Sequence, residues 1–207
     1  MIAIVDYGVG NLFSLKCSFA AVGENAVVTC DKTEIQNADK IVLPGVGAFG
    51  DAARKLKEQS LDILLKDEAK SGKPILGICL GMQLLFEKSF EYGEHEGLCL
   101  IPGAVRPIGD VIKGDLKIPH MGWNALDFGG KKHGLFKYLS EGDFVYFVHS
   151  YYADTPREYV IATAEYGAPL TAAAANGNVI GCQFHPEKSG RVGLKILKAF
   201  CETENNQ

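Results

Sequence analysis

The first half of the chain alternates short, continuous apolar runs with stretches of helical periodicity. The runs are unbroken rather than alternating with polar residues, which is typical of strands covered on both faces. Strand–helix–strand order of this kind predicts a parallel α/β sheet. The predicted strands are Ile2–Val5, Ala26–Thr29, Ile41–Leu43 and Ile75–Ile78, and the predicted helices are Leu12–Val22 and Ala52–Lys70.

The second half has a different pattern, in which apolar segments follow one another with only turns between them. These segments are Phe144–Tyr151, Tyr159–Ala164, Leu170–Ala175 and Val179–Phe184. Asn176-Gly177 between the last two predicts a two-residue hairpin, so we expect antiparallel strands added to the parallel core. A closing helix is predicted over Val192–Phe200, before a polar tail at Glu202–Gln207 that we expect to fray. No repeat or linker is visible, and residues 1-207 are expected to form one α/β domain.

Composition and charge exclude several classes of function. The net charge is −4 and no segment concentrates Lys and Arg, so neither nucleic acid nor a membrane surface is an expected partner. No apolar run approaches the roughly 18–20 residues of a membrane span, and the start of the chain lacks signal-peptide features, so a cytoplasmic location is expected. The six cysteines have irregular spacing without a Cys-x-x-Cys pair, which argues against disulfides and structural zinc.

Cys79 stands in Gly77-x-Cys79-x-Gly81, directly after a predicted strand and before a helix predicted over Leu80–Lys88. With Ser at its centre, this strand–turn–helix arrangement is the nucleophile elbow of α/β-hydrolases. The turn lifts the nucleophile above the sheet, and the N–H groups of the following helix favour a thiolate. The alternative is a buried core cysteine at a glycine-rich turn. The arrangement favours a nucleophile.

A thiolate nucleophile needs a proton shuttle, and five histidines compete for that role. Only His185 ends a predicted strand and is followed two residues later by a carboxylate, in His185-Pro186-Glu187. Residues two apart in extended backbone face the same way, and the proline restricts His185 to that conformation. Alone, this tripeptide could equally be a satisfied strand-end histidine. Together with Cys79, it predicts a Cys79–His185–Glu187 triad.

These residues resemble the class I glutamine amidotransferases, whose glutaminase domain carries a Gly-x-Cys-x-Gly turn and a distal His-Pro-Glu. The resemblance covers nearly the whole chain. More narrowly, the chain is similar to the glutaminase subunits of imidazole glycerol phosphate synthases, through Asp6–Leu12, Leu43–Phe49 and Ile118–Asn124. The last segment is the most discriminating, because sister glutaminases for anthranilate, GMP, carbamoyl phosphate or pyridoxal phosphate are not expected to carry it.

The resemblance implies a flavodoxin-like, mostly parallel sheet with helices on both faces. It also implies hydrolysis of L-glutamine through a Cys79 thioester, with no metal or organic cofactor. The ammonia would pass to a separate (β/α)₈-barrel cyclase in a heterodimer. There it would convert phosphoribulosyl-formimino-aminoimidazole-carboxamide ribotide into imidazole glycerol phosphate and aminoimidazole carboxamide ribotide, in histidine biosynthesis.

The segment Gly45–Gly50 formally matches the Gly-x-Gly-x-x-Gly fingerprint of dinucleotide-binding folds. It follows the third predicted strand rather than the first, and no acidic residue closes an evident second strand, so this interpretation is weak. An oxyanion hole is favoured instead. The Leu80 N–H is one expected donor, as in hydrolase elbows, and the resemblance assigns the second to Val46 and Gly47. A further hypothesis is that the Val46 peptide turns its N–H away until the partner and its substrate bind.

The resemblance also implies which residues bind glutamine and which contact the partner. Gly45, Gln83, His149, Ser150 and Tyr151 are expected around the substrate, although polar residues that merely end a strand are the alternative. The expected partner contacts are Asn11, His120, Trp123 and Lys188. For Trp123, the only tryptophan, burial in the core is the competing interpretation.

Two rival functions stay open from the sequence. One is a non-catalytic regulatory or nucleotide-binding module, which the intact Cys79, His185 and Glu187 disfavour. The other is enzymatic: a related Cys–His hydrolase, or a paralogous amidotransferase that feeds another synthase. The segment Pro119–Asn124 disfavours the second rival, although shared ancestry could preserve it.

Overall fold

The computed structural model describes residues 1–203, so residues 204–207 of the tail predicted to fray lie outside it. The chain forms six α-helices and thirteen strands in these residues. The helices are α1 Leu12–Ala21, α2 Lys32–Asn37, α3 Phe49–Glu58, α4 Leu61–Lys70, α5 Leu80–Leu84 and α6 Gly190–Cys201. The strands are β1 Ile2–Val5, β2 Ala26–Thr29, β3 Lys40–Leu43, β4 Ile75–Ile78, β5 Phe86–Ser89, β6 His95–Glu96, β7 Ile101–Pro107, β8 His120–Ala125, β9 Phe144–His149, β10 Tyr151–Asp154, β11 Val160–Glu165, β12 Pro169–Asn176 and β13 Val179–Cys182.

The central sheet has seven strands in the order β11-β12-β13-β4-β3-β1-β2. The strands from β2 to β13 pair in parallel, and β12 and β11 add two antiparallel pairings at one edge. This confirms the mostly parallel, flavodoxin-like sheet with added antiparallel strands. The predicted two-residue hairpin also forms between β12 and β13, where Asn176 pairs with Val179.

Helices cover both faces of this sheet because its strands are apolar on both sides. Along β1, Ile2 and Ile4 join one buried cluster, whereas Ala3 and Val5 join the other. The first cluster packs against α1 and α6 through residues such as Phe19 and Phe200. The second packs against α2, α3, α4 and α5. Two core layers therefore hold β3, β4 and β13 rigidly, and the site lies at the ends of these strands.

Three predicted elements were wrong in their extent. The helix predicted over Ala52–Lys70 is split, because Ser60 adopts a left-handed backbone with φ 53° between α3 and α4. The helix predicted over Leu80–Lys88 ends at Leu84, because Phe86–Ser89 pairs with β7 as strand β5. Pairing with neighbouring strands replaces the helical hydrogen bonds there and buries Phe86 completely.

The segment predicted as one strand over Phe144–Tyr151 was also wrong, because it divides at Ser150. Strand β9 lies outside the central sheet and forms a two-stranded ribbon with β8, whereas β10 joins the four-stranded sheet β10-β7-β5-β6. This second sheet and the ribbon both border the site, through Tyr151 of β10 and through Val148 and His149 of β9. Among residues 1–203, no helix has the length and apolar character that a bilayer crossing requires.

Candidate active site

Cys79 occupies the sharp turn between β4 and α5. Its backbone has φ 54° and ψ −110°, a left-handed region that side-chain-bearing residues rarely adopt. The turn is held in place from below, because the Cys79 N–H donates to the Cys182 carbonyl of β13 at 2.8 Å. The strained geometry is that of a nucleophile elbow, which presents the side chain at the end of the sheet.

The two glycines that flank Cys79 are required by space. A Cβ atom added to Gly81 would lie 1.8 Å from the Leu43 carbonyl oxygen, at the end of β3. A Cβ atom added to Gly77 would lie 2.7 Å from the Gly81 carbonyl oxygen. These contacts are with backbone atoms that cannot move aside. The glycines therefore let α5 start directly against β3 and β4.

His185 reaches the same edge of the sheet because β13 lies parallel to β4. Cys182 is the partner of Ile78 in the register, so the residues that follow each strand emerge side by side. The His185 N–H donates to the Tyr146 carbonyl at 2.9 Å, which fixes the backbone there. Cys79 and His185 both line one cavity of about 630 Å³. The structure thus brings together residues 79 and 185, as the sequence predicted.

Glu187 orients the imidazole from the far side. Its Oε1 lies 2.8 Å from Nδ1 of His185, and both side chains are almost fully buried. Within the described part of the chain, Nε2 of His185 has no hydrogen-bond partner. The nitrogen that is not held by Glu187 is therefore the one available for proton transfer in the cavity.

The protonation of His185 is set by opposing effects. Burial lowers the pKa of His185, but the neighbouring Cys79 and Glu187 side chains raise it to about 9. The imidazolium form is therefore favoured at neutral pH. A cation beside the sulfur stabilises the anionic thiolate, which is the reactive form of cysteine.

The glycine-rich loop after β3 supplies another part of the cavity wall. Val46 and Gly47 line the cavity, and Gly47 has a φ of 96° that glycine adopts readily. The backbone N–H groups of Val46, Gly47 and Leu80 make no hydrogen bond to another residue in the range 1–203. These free donors could stabilise a negative oxygen next to Cys79.

Gly45 is placed differently from its expected position at the substrate. It is buried beneath the loop, and a Cβ atom there would lie 2.7 Å from the Tyr7 hydroxyl and 2.9 Å from the Gly81 nitrogen. The same Tyr7 hydroxyl donates to the Pro44 carbonyl at 2.7 Å. Gly45 therefore serves close packing between the loop and the nucleophile turn, rather than lining the cavity.

The other expected substrate residues do line the cavity. Ser150 and Tyr151 lie where β9 passes into β10, and Gln83 projects from α5. Gln83 is only 6% exposed, and its Nε2 donates to the Tyr151 carbonyl and to Oε1 of Gln183. In this state its amide is engaged by the protein.

The four expected partner contacts differ in their exposure. Trp123 is 54% exposed on the ribbon, in an edge-to-face contact with Tyr146. Lys188 lies at the cavity and places its ammonium 5.9 Å from the centre of the Tyr146 ring. Asn11 is half-buried at the start of α1, outside the cavity lining.

His120 does not occupy the exposed position that an interface residue needs. Its side chain is 3% exposed and stacks on Tyr166 and Phe147. Nδ1 of His120 lies 3.0 Å from Nε2 of His149, inside the ribbon. In the isolated chain, His120 therefore supports the strand that carries Trp123.

Sequence reasoning missed two polar residues at the site, Glu91 and Gln183, whereas His149, which was expected there, does line the cavity. Glu91 lines the cavity and accepts a hydrogen bond from the Phe49 N–H. His149 lies against Tyr151, and Gln183 places its amide against the sulfur of Cys79. Gln183 lies two residues before His185 in the segment predicted as a strand, where side chains two residues apart face the same way, and that spacing could have identified it.

All six cysteines are free thiols, and Cys182 lies fully buried beneath Cys79. Burial raises the pKa of the Cys182 thiol, so this neighbour of the nucleophile stays protonated. No group of three or more His, Cys, Asp or Glu side chains within residues 1–203 is arranged to hold a metal ion.

Comparison with protein families gives a match over nearly the whole chain. The family model described as glutamine amidotransferase class-I matches residues 3–203. The chain is 49% identical over 203 residues to imidazole glycerol phosphate synthase subunit HisH of Bacillus mycoides, which covers 97% of this chain and 93% of that protein. It is 50% identical over 200 residues to the subunit of the same name in Bacillus cereus strain ATCC 14579, with the same coverage.

Solved structures of low sequence identity have the same fold. A crystal structure of a glutamine amidotransferase superposes with a TM-score of 0.75 at 17% identity, covering 98% of each chain. The structure of PurLQS from Thermotoga maritima superposes with a TM-score of 0.72 at 18% identity, covering 97% of this chain and 96% of that one.

Proposed function

The chain belongs to the class I glutamine amidotransferase family, and on that basis we propose that it is the glutaminase subunit of an imidazole glycerol phosphate synthase. It hydrolyses L-glutamine to L-glutamate and ammonia and supplies the ammonia for histidine biosynthesis. The identity of about half of all residues with the two Bacillus subunits, over nearly their full length, supports this specific assignment.

The observation that carries the catalytic proposal is the arrangement of Cys79, His185 and Glu187. Cys79 sits on a strained turn, and His185 faces the same cavity with one nitrogen held by Glu187 and the other without a hydrogen-bond partner in residues 1–203. Nucleophile, proton shuttle and orienting carboxylate are the three parts of an acyl-transfer triad.

The reaction proceeds through a thioester. The Cys79 thiolate attacks the side-chain carbonyl carbon of glutamine, and the carbon–oxygen π electrons move onto oxygen. The tetrahedral intermediate collapses as His185 protonates the amine, so that ammonia leaves and a γ-glutamyl thioester remains. Water then attacks the thioester, His185 takes its proton, and the carbon–sulfur bond breaks to release glutamate and the thiolate.

The oxyanion of each tetrahedral intermediate needs donors that are already in place. We assign this role to the N–H of Leu80 and to the N–H groups of Val46 and Gly47, which have no partner among the described residues. Loss of one such donor typically reduces the rate about 100- to 1000-fold.

The substrate's amino-acid end is assigned to the opposite part of the cavity. Ser150 and Tyr151 offer hydrogen-bonding groups, and the Glu91 carboxylate lies there as a counter-ion for the α-ammonium group. Gln83 would keep its Nε2 on the Tyr151 carbonyl and offer its side-chain oxygen to the substrate.

The partner is proposed to be a separate (β/α)₈-barrel cyclase that forms a heterodimer with this chain. An exposed apolar surface beside the cavity supports this, because Ile118, Met121 and Trp123 are 48%, 62% and 54% exposed. Asn11 and Lys188 are proposed as polar contacts at its edge, with His120 supporting it from within. We also propose that residues 1-207 form one glutaminase domain and that the enzyme works in the cytoplasm.

The test is reconstitution of the complex with wild-type or Cys79→Ala chain. We expect Cys79→Ala to lower glutamine-dependent synthesis by at least roughly 1000-fold while ammonia-dependent synthesis by the complex stays intact. Cys30→Ala removes an exposed thiol and is the matched control. Glutamine use by Cys79→Ala at the wild-type rate would reject the proposal.

A second experiment tests control by the partner. The loop bearing Val46 and Gly47 is exposed in the isolated chain, so we expect its donors to be aligned only when the cyclase and its ligand are bound. Glutamate release is measured from the chain alone, with the cyclase, and with the cyclase plus ligand. Equal rates under the three conditions would reject this control.

A further inference from the structure

Gln183 is a fully buried polar residue that touches the catalytic sulfur. It follows β13 directly, its side chain is 0% exposed, and its Nε2 lies 3.7 Å from Sγ of Cys79 in hydrogen-bonding geometry. Its backbone N–H donates to the Ala172 carbonyl at 2.8 Å, so the residue is anchored in the sheet. No step of the mechanism described above uses it.

The direction of this contact follows from the neighbouring hydrogen bonds. The Tyr151 carbonyl can only accept, so Gln83 must turn its NH₂ group towards it, at 3.2 Å. The same NH₂ group then faces Gln183 at 3.0 Å, and Gln183 must present its oxygen there. Only the NH₂ group of Gln183 is left for Cys79. The carbonyl of Tyr151 therefore determines that the sulfur receives a donor and not an acceptor.

The Tyr151 carbonyl is itself held by a second donor. Nδ1 of His149 lies 2.8 Å from it, and Nε2 of the same ring faces Nδ1 of His120 at 3.0 Å. Burial lowers the pKa of His149 to about 3 and that of His120 to about 4, so both rings stay neutral. Each neutral ring has one donor and one acceptor nitrogen. The donor-to-acceptor order that ends at the Tyr151 carbonyl therefore extends back through both histidine rings.

We propose that Gln183 is a positioning residue that fixes the Cys79 sulfur and stabilises its thiolate with an N–H···S hydrogen bond. The inference rests on Cys79 being the glutaminase nucleophile. A hydrogen bond to the charged form of a group favours that form, and the effect is large where water is excluded. The same bond makes the thiolate a better leaving group when the thioester breaks down.

A purely structural role is the competing interpretation, in which Gln183 only satisfies Gln83 and fills space. The two roles differ in what they do to the sulfur. If the role is structural, substitution of Gln183 changes the stability of the fold but not the pH dependence of Cys79 reactivity. A positioning role moves that pH dependence upward when the donor is lost.

The first experiment measures alkylation of Cys79 by iodoacetamide between pH 5 and 10 in the full chain. Gln183→Met keeps the length of the side chain and removes the donor, and Gln183→Glu keeps an oxygen acceptor for Gln83. We expect the midpoint of reactivity to rise by about one pH unit in Gln183→Met, with alkylation at pH values well below the midpoint about 10-fold slower, and to rise further in Gln183→Glu.

The other titratable groups around Cys79 are unchanged in these variants. They are His185 and Glu187 after β13, Cys182 within it, Tyr7 after β1, and His149, Tyr151, Glu91, Tyr92 and Lys188 around the cavity. Asn178→Ser is the matched control, because it removes a part-buried amide that donates to the Ala69 and Lys73 carbonyls far from the sulfur. An unmoved midpoint in folded Gln183→Met and Gln183→Glu would overturn the inference.

A second measurement uses the unaltered chain and does not depend on the folding of variants. The side-chain amide protons of Gln183 are followed by NMR as pH rises. We expect a downfield shift as Cys79 ionises, and its loss in Cys79→Ala. If the shift is the same in both chains, Gln183 does not bond the thiolate. Full glutaminase activity of Cys79→Ala with the partner would instead overturn the proposed function, so the two failures are distinguishable.

Discussion

Oε1 of Glu187 lies 2.8 Å from Nδ1 of His185 across one intervening proline, with both side chains shielded from solvent. Because a carboxylate accepts at Nδ1, that nitrogen carries the proton in the neutral ring, and Nε2 is left as the base. The proline and the short 3₁₀ turn Pro186–Lys188 bring the carboxylate back towards the ring.

This relationship predicts the effect of Glu187→Gln. The amide keeps the shape but cannot stabilise the imidazolium, so glutamine-dependent kcat should fall about 100-fold or more. Steady-state glutamate release in the reconstituted complex measures it. Glu158→Gln changes an exposed carboxylate and should leave kcat unchanged. A Glu187→Gln enzyme with wild-type kcat would mean that the imidazolium needs no stabilisation by a carboxylate charge.

A second prediction concerns the titration of His185. Its pKa of about 9 in the folded chain exceeds the ~6.5 of an unfolded histidine. The contribution to stability is therefore fully present below about pH 6.5 and is lost as pH rises through about 9. Since Cys79 contributes to the raised value, Cys79→Ala should lower the midpoint of the imidazole NMR titration. Identical midpoints in the two chains would show that the sulfur does not affect the titration of the His185 ring.

A third prediction concerns Gly81. An added methyl group would meet the Leu43 carbonyl at 1.8 Å, so Gly81→Ala must push α5 away from β3. We expect a loss of about 3 kcal/mol in the free energy of unfolding, together with loss of glutaminase activity. Gly134→Ala is the control, because it has open space around its Cα and should change little. Urea unfolding measures the free energy of unfolding of both variants, and equal values for Gly81→Ala and Gly134→Ala would contradict the close contact.

A fourth prediction concerns the exposed surface beside the cavity. Trp123→Ala should weaken binding of the cyclase by about 2 kcal/mol, roughly 30-fold in Kd, because large exposed aromatic residues often dominate interfaces. The isolated chain should unfold at nearly the same urea concentration, since Trp123 is 54% exposed. Ile63→Ala, with 60% exposure on α4, should bind normally. Isothermal titration calorimetry measures the affinity for the cyclase, and an unchanged affinity in Trp123→Ala would exclude this surface as the binding site.

The parallel core could be predicted from sequence because its signals are local. Continuous apolar runs identified β1 to β4 within a residue of their observed bounds, and Gly77-x-Cys79-x-Gly81 identified the turn. Ser60 was not recognised as a break because the apolar periodicity continues from α3 into α4. The strand at Phe86–Ser89 was missed because it depends on pairing with β7, which no local pattern encodes.

The site, like the fold, could be predicted only in part. Cys79 and His185 could be placed together because parallel strands end at the same edge of a sheet. Gln183 and Glu91 were missed because their roles depend on burial and on long-range contacts, to Cys79 and to the start of α3. The burial of His120 could not be predicted because Phe147 and Tyr166 enclose its ring through long-range contacts.

Gly81 packs directly against the end of β3. No flexible segment therefore separates the Cys79 turn from the start of the loop that carries Val46 and Gly47. A rigid-body movement of α5 relative to β3 would break that contact. Adjustment is confined to the peptide planes around Val46 and Gly47, which protrude beyond the packed region. A partner that docks on this side thus needs only enough binding energy to rotate a peptide or two, while Cys79, His185 and Glu187 stay in place throughout the cycle.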